Sequence, residues 1–354
     1  MGSEEPDLKQ DLPTLLPTSP INRRNALKGA AGLGFVLAGA PVWPRGAAAA
    51  DKIVYLTPFG FLMGFAETMY ADTGGFFARH NLDVEIRGGR GSAMAVQQIA
   101  AGNVLVSRTG GTDMIKAVAK DPNIVAFGEV FQRDIFFVIS SADKPLTEPQ
   151  QFAGKTIGVV SIGGATENIL NMMLAKEGIP ADSVKRQPTG EGPGPFEFIG
   201  QGRIDAYIAT YSTVAQLKAD KRPLVAWSVD KVAPSPGQIY IASKKAIAEQ
   251  PDQLANFLRG VYDALGAMIA AKELKPIIES MDSKYQVVER SKPDGGEAVL
   301  APTVDAFRPV YRDKFASDPA GWTSAYDLMV KAKIVEPMPD TAFFTDAIRK
   351  RAFG

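Results

Sequence analysis

The chain of 354 residues contains no cysteine and one histidine. Without cysteine there are no disulfides, thiolate metal sites, thiol nucleophiles or lipid-modified cysteine. His80 alone cannot build a multi-histidine metal site, and its place in the turn before Leu82 reads as exposed. Neither charge is in excess, with 39 basic side chains against 39 acidic. Such balance provides no global field to attract nucleic acid or an anionic membrane. GxSxG, HExxH and GxxxxGK motifs are all missing, which removes the common signatures of serine hydrolases, zinc proteases and phosphate-loop NTPases. No metal, cofactor or nucleic acid is expected, while carboxylates could still form an acid–base site, so motif absence alone leaves a secreted lyase or hydrolase open.

What is present begins with Asn22-Arg23-Arg24-Asn25-Ala26-Leu27-Lys28, then a small and apolar run from Gly29 to Ala40 and the tetrad Ala47 to Ala50. A paired-arginine charge step, a weakly hydrophobic core and a small-residue cleavage site in that order resemble a twin-arginine export leader. The run includes glycines and falls short of the roughly 20 apolar residues that span a bilayer. Residues 1–50 are expected to be the leader, and the working protein to be periplasmic, soluble and not lipid-anchored. The remaining 304 residues carry 34 basic and 35 acidic side chains. That length is more than one core usually serves, so two lobes are expected.

From Asp51 onward short β-branched runs alternate with amphipathic segments, the sign of an α/β protein built from strand-helix-strand units. Strands are expected at 53–56, 83–86, 104–107, 124–131 and 136–140, with helices ending near Gly74-Gly75 and at Gly102. A second set of strands is expected at 155–160, 207–210, 225–229 and 239–242. A long helix starts at Pro251, with Leu254, Phe257, Leu258, Val261, Tyr262, Leu265, Met268 and Ile269 as its core stripe. Residues 141–149 and 230–237, polar and proline-bearing, read as two connectors. The expected organisation is residues 51–147 as the first part of lobe 1, 148–236 as lobe 2, and 237–354 as the return of lobe 1. Lobe 2 is thus an insertion, a layout suited to hinge closure.

Four stretches resemble the solute-binding proteins of ABC importers, in the NMT1/THI5-like subgroup that takes alkanesulfonates, taurine, nitrate and thiamine-pyrimidine precursors. They are Tyr70-Ala71 with Gly75-Phe76-Phe77 and Asn81 to Glu85, then Ala101-Gly102 with Gly110-Gly111-Thr112. The third runs from Phe152-Ala153-Gly154-Lys155 to Gly202-Arg203-Ile204-Asp205-Ala206. The last is Trp322, Tyr326-Asp327-Leu328-Met329, Ile334 and Pro339. Asn81 stands where the family usually has glycine, and asparagine also tolerates the left-handed backbone. The resemblance implies a type II periplasmic-binding fold, two α/β lobes with mixed sheets flanked by helices. It also implies a small-molecule solute held between the lobes by a monomer that delivers it to an inner-membrane ABC permease. A pyrimidine-synthase relative on the same fold uses histidine and a cysteine-rich motif with iron, which this chain lacks. A sensor subunit that hands its solute to a receptor would share every feature named here.

Candidate ligand contacts lie on loops where a strand's carboxyl end feeds a helix N-terminus, since backbone N–H groups there lack partners. Arg90, Arg108 and Arg133 present planar forks suited to a carboxylate or sulfonate, Arg108 being the best placed. Arg133 also has Asp134 beside it as an ion-pair partner. Ser92, Thr109 and Thr112 offer hydroxyls. Across the cleft, Gly163, Gly164, Ala165 and Thr166 would offer N–H groups at a helix start, with Thr166 as N-cap. Phe59, Phe61, Phe65, Tyr207 and Tyr211 supply aromatic walls for an organic solute, with core packing as the alternative for each. Gly192-Pro193-Gly194-Pro195, after Glu191, reads as a stiffened rim.

Overall fold

A computed structural model describes residues 50–291 and 294–354. The expected leader lies outside the described residues. In the first part of the chain, β1 (Asp51–Thr57) leads to α1 (Ala66–Thr73), α2 (Phe76–Arg79) and β2 (Leu82–Gly88). Next come α3 (Ser92–Ala100), β3 (Val106–Thr109), α4 (Gly111–Val118) and β4 (Ile124–Phe131). The middle part holds β5 (Phe136–Ser141), β6 (Thr156–Val159), α5 (Ala165–Glu177), β7 (Lys185–Pro188), α6 (Phe196–Gly200), β8 (Ala206–Thr210), α7 (Tyr211–Ala219) and β9 (Leu224–Ser228). The chain then returns through β10 (Gln238–Ser243) to α8 (Lys244–Glu249), α9 (Pro251–Ala270), α10 (Lys275–Tyr285), α11 (Glu297–Asp313), α12 (Pro319–Lys331) and α13 (Ala347–Phe353).

Two five-stranded mixed sheets result, ordered β2-β1-β3-β10-β4 and β7-β6-β8-β5-β9. They share one plan. In each, four strands run in the same direction, and the strand that arrives from the other lobe inserts antiparallel between two of them: β10 pairs with β3 and β4, and β5 pairs with β8 and β9. The two-lobed α/β fold with an inserted second lobe is therefore present as expected. One strand is not where it was placed. β5, expected to close the first part of lobe 1, belongs to the second sheet, so the outward crossing is residues 132–135 and not 141–149. The proline-bearing stretch lies inside lobe 2, where Trp227 Nε1 donates to the Leu146 carbonyl (2.8 Å).

Alternation explains the strands. In β2, Leu82, Val84 and Ile86 are buried while Asp83, Glu85 and Arg87 face water, the pattern of a strand covered on one face. β4 is buried along its whole length although it ends the sheet order. Its edge is covered by the C-terminal segment, where Ala126 N donates to Phe343 O and Thr345 N to Ala126 O (2.9 and 2.8 Å). The stripe on α9 packs into lobe 1 as its spacing predicts, with Leu254, Phe257, Leu258, Val261, Leu265 and Met268 buried. Phe257 meets Tyr55, Phe77 and Tyr240 at ring distances of 5.5, 5.3 and 5.2 Å. Truncating such a ring to alanine typically costs about 3–5 kcal/mol. A second core runs through both lobes, joining Met114 and Ile115 of α4 and Leu170 and Met173 of α5 to Trp322 and Met329 of α12. α12 thus straps the lobes together on one side.

Candidate functional site

The loops after β1 and β2 are zipped together by backbone bonds. Gly60 N donates to Gly89 O (3.0 Å), Gly89 N to Thr57 O (2.8 Å) and Gly91 N to Pro58 O (2.6 Å). A side chain at Gly89 would put its Cβ 2.3 Å from Thr57 O, so only glycine permits this approach. The zip sets Phe59 opposite Arg90 in an isolated bridge. Phe59 is 49% exposed, one of three large apolar side chains left in water among the described residues, with Ile162 and Val288. Val288 N donates to Phe61 O, so it stands beside the same loop, while Ile162 is in the loop before α5. Phe61 itself packs on Tyr285 at 5.1 Å. Arg90 is exposed, and among the described arginines it alone has no ion pair, side-chain hydrogen bond or ring partner.

Arg108, the best-placed candidate by sequence, has a different role in this structure. It is 1% exposed and paired with Glu67 at 2.6 Å. It also donates to Gly64 O (2.9 Å) and lies between the rings of Phe65 (4.9 Å) and Phe131 (5.2 Å). Burial alone would lower its pKa, but Glu67 and the surrounding tyrosines outweigh that and raise it, so the guanidinium stays charged. Tyr240 donates its hydroxyl to the same Glu67 oxygen (3.0 Å). A strand position whose side chain points into the lobe explains the outcome: three of β3's neighbours supply a carboxylate and two rings that sequence spacing does not reveal. Thr109 is buried as well, with its hydroxyl unpartnered.

Around α4 the two lobes touch. Ser92 donates to Asp113, whose carboxyl is pushed up by burial and pulled back by Ser92 and Lys116. Thr112 is buried at the start of the helix. Lys116 Nζ crosses to lobe 2 and donates to Gly163 O at 3.0 Å. There the expected anion-binding loop is already engaged: Gly163 N donates to Glu167 Oε2 (2.5 Å), and Glu167 lies 3.8 Å from Arg186. Gly164, not Thr166, is the N-cap of α5. Thr166 is buried and its hydroxyl accepts from Val160 N (2.9 Å). Tyr207 is likewise buried in the lobe 2 core, and Phe65 in lobe 1 beside Arg108. Tyr211 does reach between the lobes, its hydroxyl 3.0 Å from Thr303 Oγ1 on α11.

The two crossings run side by side. Gly237 N donates to Phe131 O (2.8 Å), and Ser235 Oγ donates to Asp134 Oδ2 (2.7 Å). Burial pushes Asp134 up to about 7, against the bonds from Ser235 and Phe136 N that hold it down. Arg133 pairs with Asp230 at 3.2 Å, not with its sequence neighbour Asp134, and its side chain is 73% exposed beside these crossings. His80, expected to be exposed, is half-buried and bonded to Asp263 on α9 (2.8 Å). Sequence reading missed Glu67, Glu167 and Glu191 as partners, because a carboxylate at an ordinary helical or loop position carries no local sign of what faces it. Among the described residues no group of three His, Cys, Asp or Glu is placed to hold a metal ion, and no helix is long and apolar enough to cross a membrane. One surface hollow is lined by Lys176, Pro319 and Asp327, and another by Lys120, Val335 and Pro339.

The family model described as NMT1/THI5 like matches residues 63–273, which takes in loops and helices of both lobes. The chain belongs to the NMT1/THI5-like family. A curated relative, the formylaminopyrimidine-binding protein of Halalkalibacterium halodurans, is 27% identical over 199 residues, or 55% of this chain and 59% of the relative. The chain therefore matches less than two thirds of that relative's length. Among solved structures, the alkanesulfonate-binding protein SsuA from Xanthomonas axonopodis pv. citri, bound to MOPS, superposes with a TM-score of 0.61 at 13% identity, covering 85% of this chain and 99% of that one. The periplasmic aliphatic sulphonate binding protein SsuA from Escherichia coli gives 0.58 at 13% identity, covering 86% and 92%. At such identities the likeness is one of fold: this NMT1/THI5-like chain has the two-lobed periplasmic-binding architecture.

Proposed function

We propose that the chain is the substrate-binding subunit of an ABC-type importer, which captures a small organic anion between its lobes and delivers it to an inner-membrane permease. In this reading residues 1–50 are a twin-arginine leader, the mature protein is a soluble periplasmic monomer, and no step of catalysis is involved. The observation that carries the anion is Arg90. It is the one described arginine with an uncommitted guanidinium, and the zipped loops set it opposite exposed Phe59 across a backbone bridge. A planar donor fork beside an aromatic face suits a carboxylate or sulfonate on an aromatic or alkyl body. Ser92, Lys116 and Tyr211 stand where the lobes meet and add polar contacts on closure. A solute favours the closed form only through contacts with both lobes.

Native mass spectrometry of the mature protein, purified without refolding, tests the binding role through the mass of any released small molecule. Calorimetry with that molecule then tests the charge: Arg90→Ala should weaken binding by about 2–5 kcal/mol, as for a desolvated charge pair. An unchanged affinity would remove Arg90 from the site. A second reading, a neutral aminopyrimidine-type vitamin precursor stacked between aromatics, is favoured by the name of the curated relative. It predicts an affinity indifferent to Arg90→Ala and lost in Phe61→Ala or Tyr211→Ala.

A further inference from the structure

The loop before α6 places one carboxylate at the start of α7. Glu191 lies between Gly190 and Gly192, whose backbones take φ of 76° and 99°. These left-handed conformations turn the loop so that the side chain comes back over the end of β8. Thr189 N and Gly190 N anchor the loop on Val159 O (2.8 Å) and Val160 O (3.2 Å). One oxygen, Glu191 Oε1, then accepts from Thr210 N (3.2 Å), Thr210 Oγ1 (2.8 Å) and Thr213 Oγ1 (2.9 Å). Thr210 is the N-cap of α7, and its own hydroxyl is used on Glu191 and Ser212 rather than on the helix. Glu191 thus sits where a bound anion would sit on a helix N-terminus.

This position faces the other lobe. The next residue, Tyr211, reaches Thr303 of lobe 1 through its hydroxyl and donates its N–H to Ile135 O at the outward crossing (2.9 Å). α5 repeats the arrangement, with Glu167 on Gly163 N. Beneath Glu191, the hydroxyl of Tyr207 is buried and has no partner. Burial first, and then the charge of Glu191, push that hydroxyl's pKa up, so it remains a protonated donor.

We propose that Glu191 is a specificity residue: it fills the anion position of α7 from within the chain, so lobe 2 turns away free oxyanions there and receives a solute group that donates hydrogen bonds. Glu191 Oε2 is the acceptor for that group, an amine, amide or hydroxyl. The inference rests on capture of a solute between the lobes, and it restricts the solute to one whose anionic group meets lobe 1 and whose donor meets lobe 2.

The test uses sodium sulfate and sodium methanesulfonate as probes at constant ionic strength, read by thermal unfolding and calorimetry on the full mature chain. Since it needs no native solute, its failure is separate from a failure to find a co-purified ligand. Glu191→Gln, which keeps an acceptor on the three donors, should respond to both probes as wild type does. Glu191→Ala vacates the helix end and should bind either probe at least about tenfold more tightly than wild type, the order expected from a helix terminus. If Glu191→Ala does not fold, Glu191→Ser carries the same comparison. Equal binding by all three proteins, or no gain in a folded vacated variant, would overturn the proposal.

Discussion

Replacing Arg108 with alanine separates a structural ion pair from a ligand contact. The guanidinium and Glu67 are 2% and 0% exposed, 2.6 Å apart, and Glu67 Oε1 also serves the Tyr240 hydroxyl. Removing the cation leaves a buried carboxylate with no countercharge and two rings, Phe65 and Phe131, facing a void. Breaking one side of a buried pair typically costs about 3–5 kcal/mol. At roughly 2–4 °C per kcal/mol for a chain of this size, the expected fall in Tm is about 6–20 °C. The double variant Arg108→Met with Glu67→Gln should recover a large part of that loss, because it removes both charges while keeping volume. Differential scanning calorimetry of wild type, Arg108→Ala and the double variant makes the comparison. If Arg108→Ala melts like wild type yet no longer binds the co-purified solute, the structural assignment is wrong and Arg108 is a ligand residue after all.

Two further predictions concern the crossings between the lobes. Asp134 stands at about 7 in the folded chain against 3.8 unperturbed, and Glu129, buried under Trp322, at about 7 against 4.5. An unfolded chain releases these protons first, so their contribution to stability falls as pH rises from about 4 to about 7. Asp134→Asn should flatten that part of a urea-derived stability profile and gain up to about 4 kcal/mol at pH 8, with no gain at pH 4. Parallel wild-type and variant profiles would refute the assignment. At Gly237 an added Cβ would lie 2.0 Å from Arg133 O, between the two crossings. Gly237→Ala should therefore cost about 3 kcal/mol by overpacking against backbone that cannot move aside. A urea midpoint unchanged from wild type would show that the crossings are looser than the structure has them.

The element types were legible because each rests on a local physical cause. The β2 alternation from Leu82 to Arg87 and the α9 stripe from Leu254 to Met268 are periods that the chain displays before it folds, and β3 was misplaced by only two residues. The first crossing was not legible. Gln132 to Ile135 holds neither glycine nor proline, while the proline-rich stretch 141–149 looked more like a boundary; which sheet receives β5 depends on partners more than 60 residues away, at β8 and β9. Three of the four stretches that carried the resemblance fall within the matched residues 63–273, and the last, Trp322 to Pro339, lies beyond them.

For the site, the sequence by itself determined which residue types stand on the loops at strand ends, since a strand followed by glycine, serine or threonine and then a helix is a local pattern. Phe59, Arg90, Ser92, Gly163 and Tyr211 were named on that ground. Only the tertiary structure decided which of them are free to meet a solute. Arg108 at the end of β3 and Arg90 in the loop after β2 are the same residue type near neighbouring strand ends, yet Glu67 from α1 claims the first and no carboxylate reaches the second. Gly163 has the composition of an anion loop, yet Glu167 occupies its N–H. Charge pairing acts through space with strength set by distance and burial, so it is a property of the packed molecule that no spacing along the chain encodes.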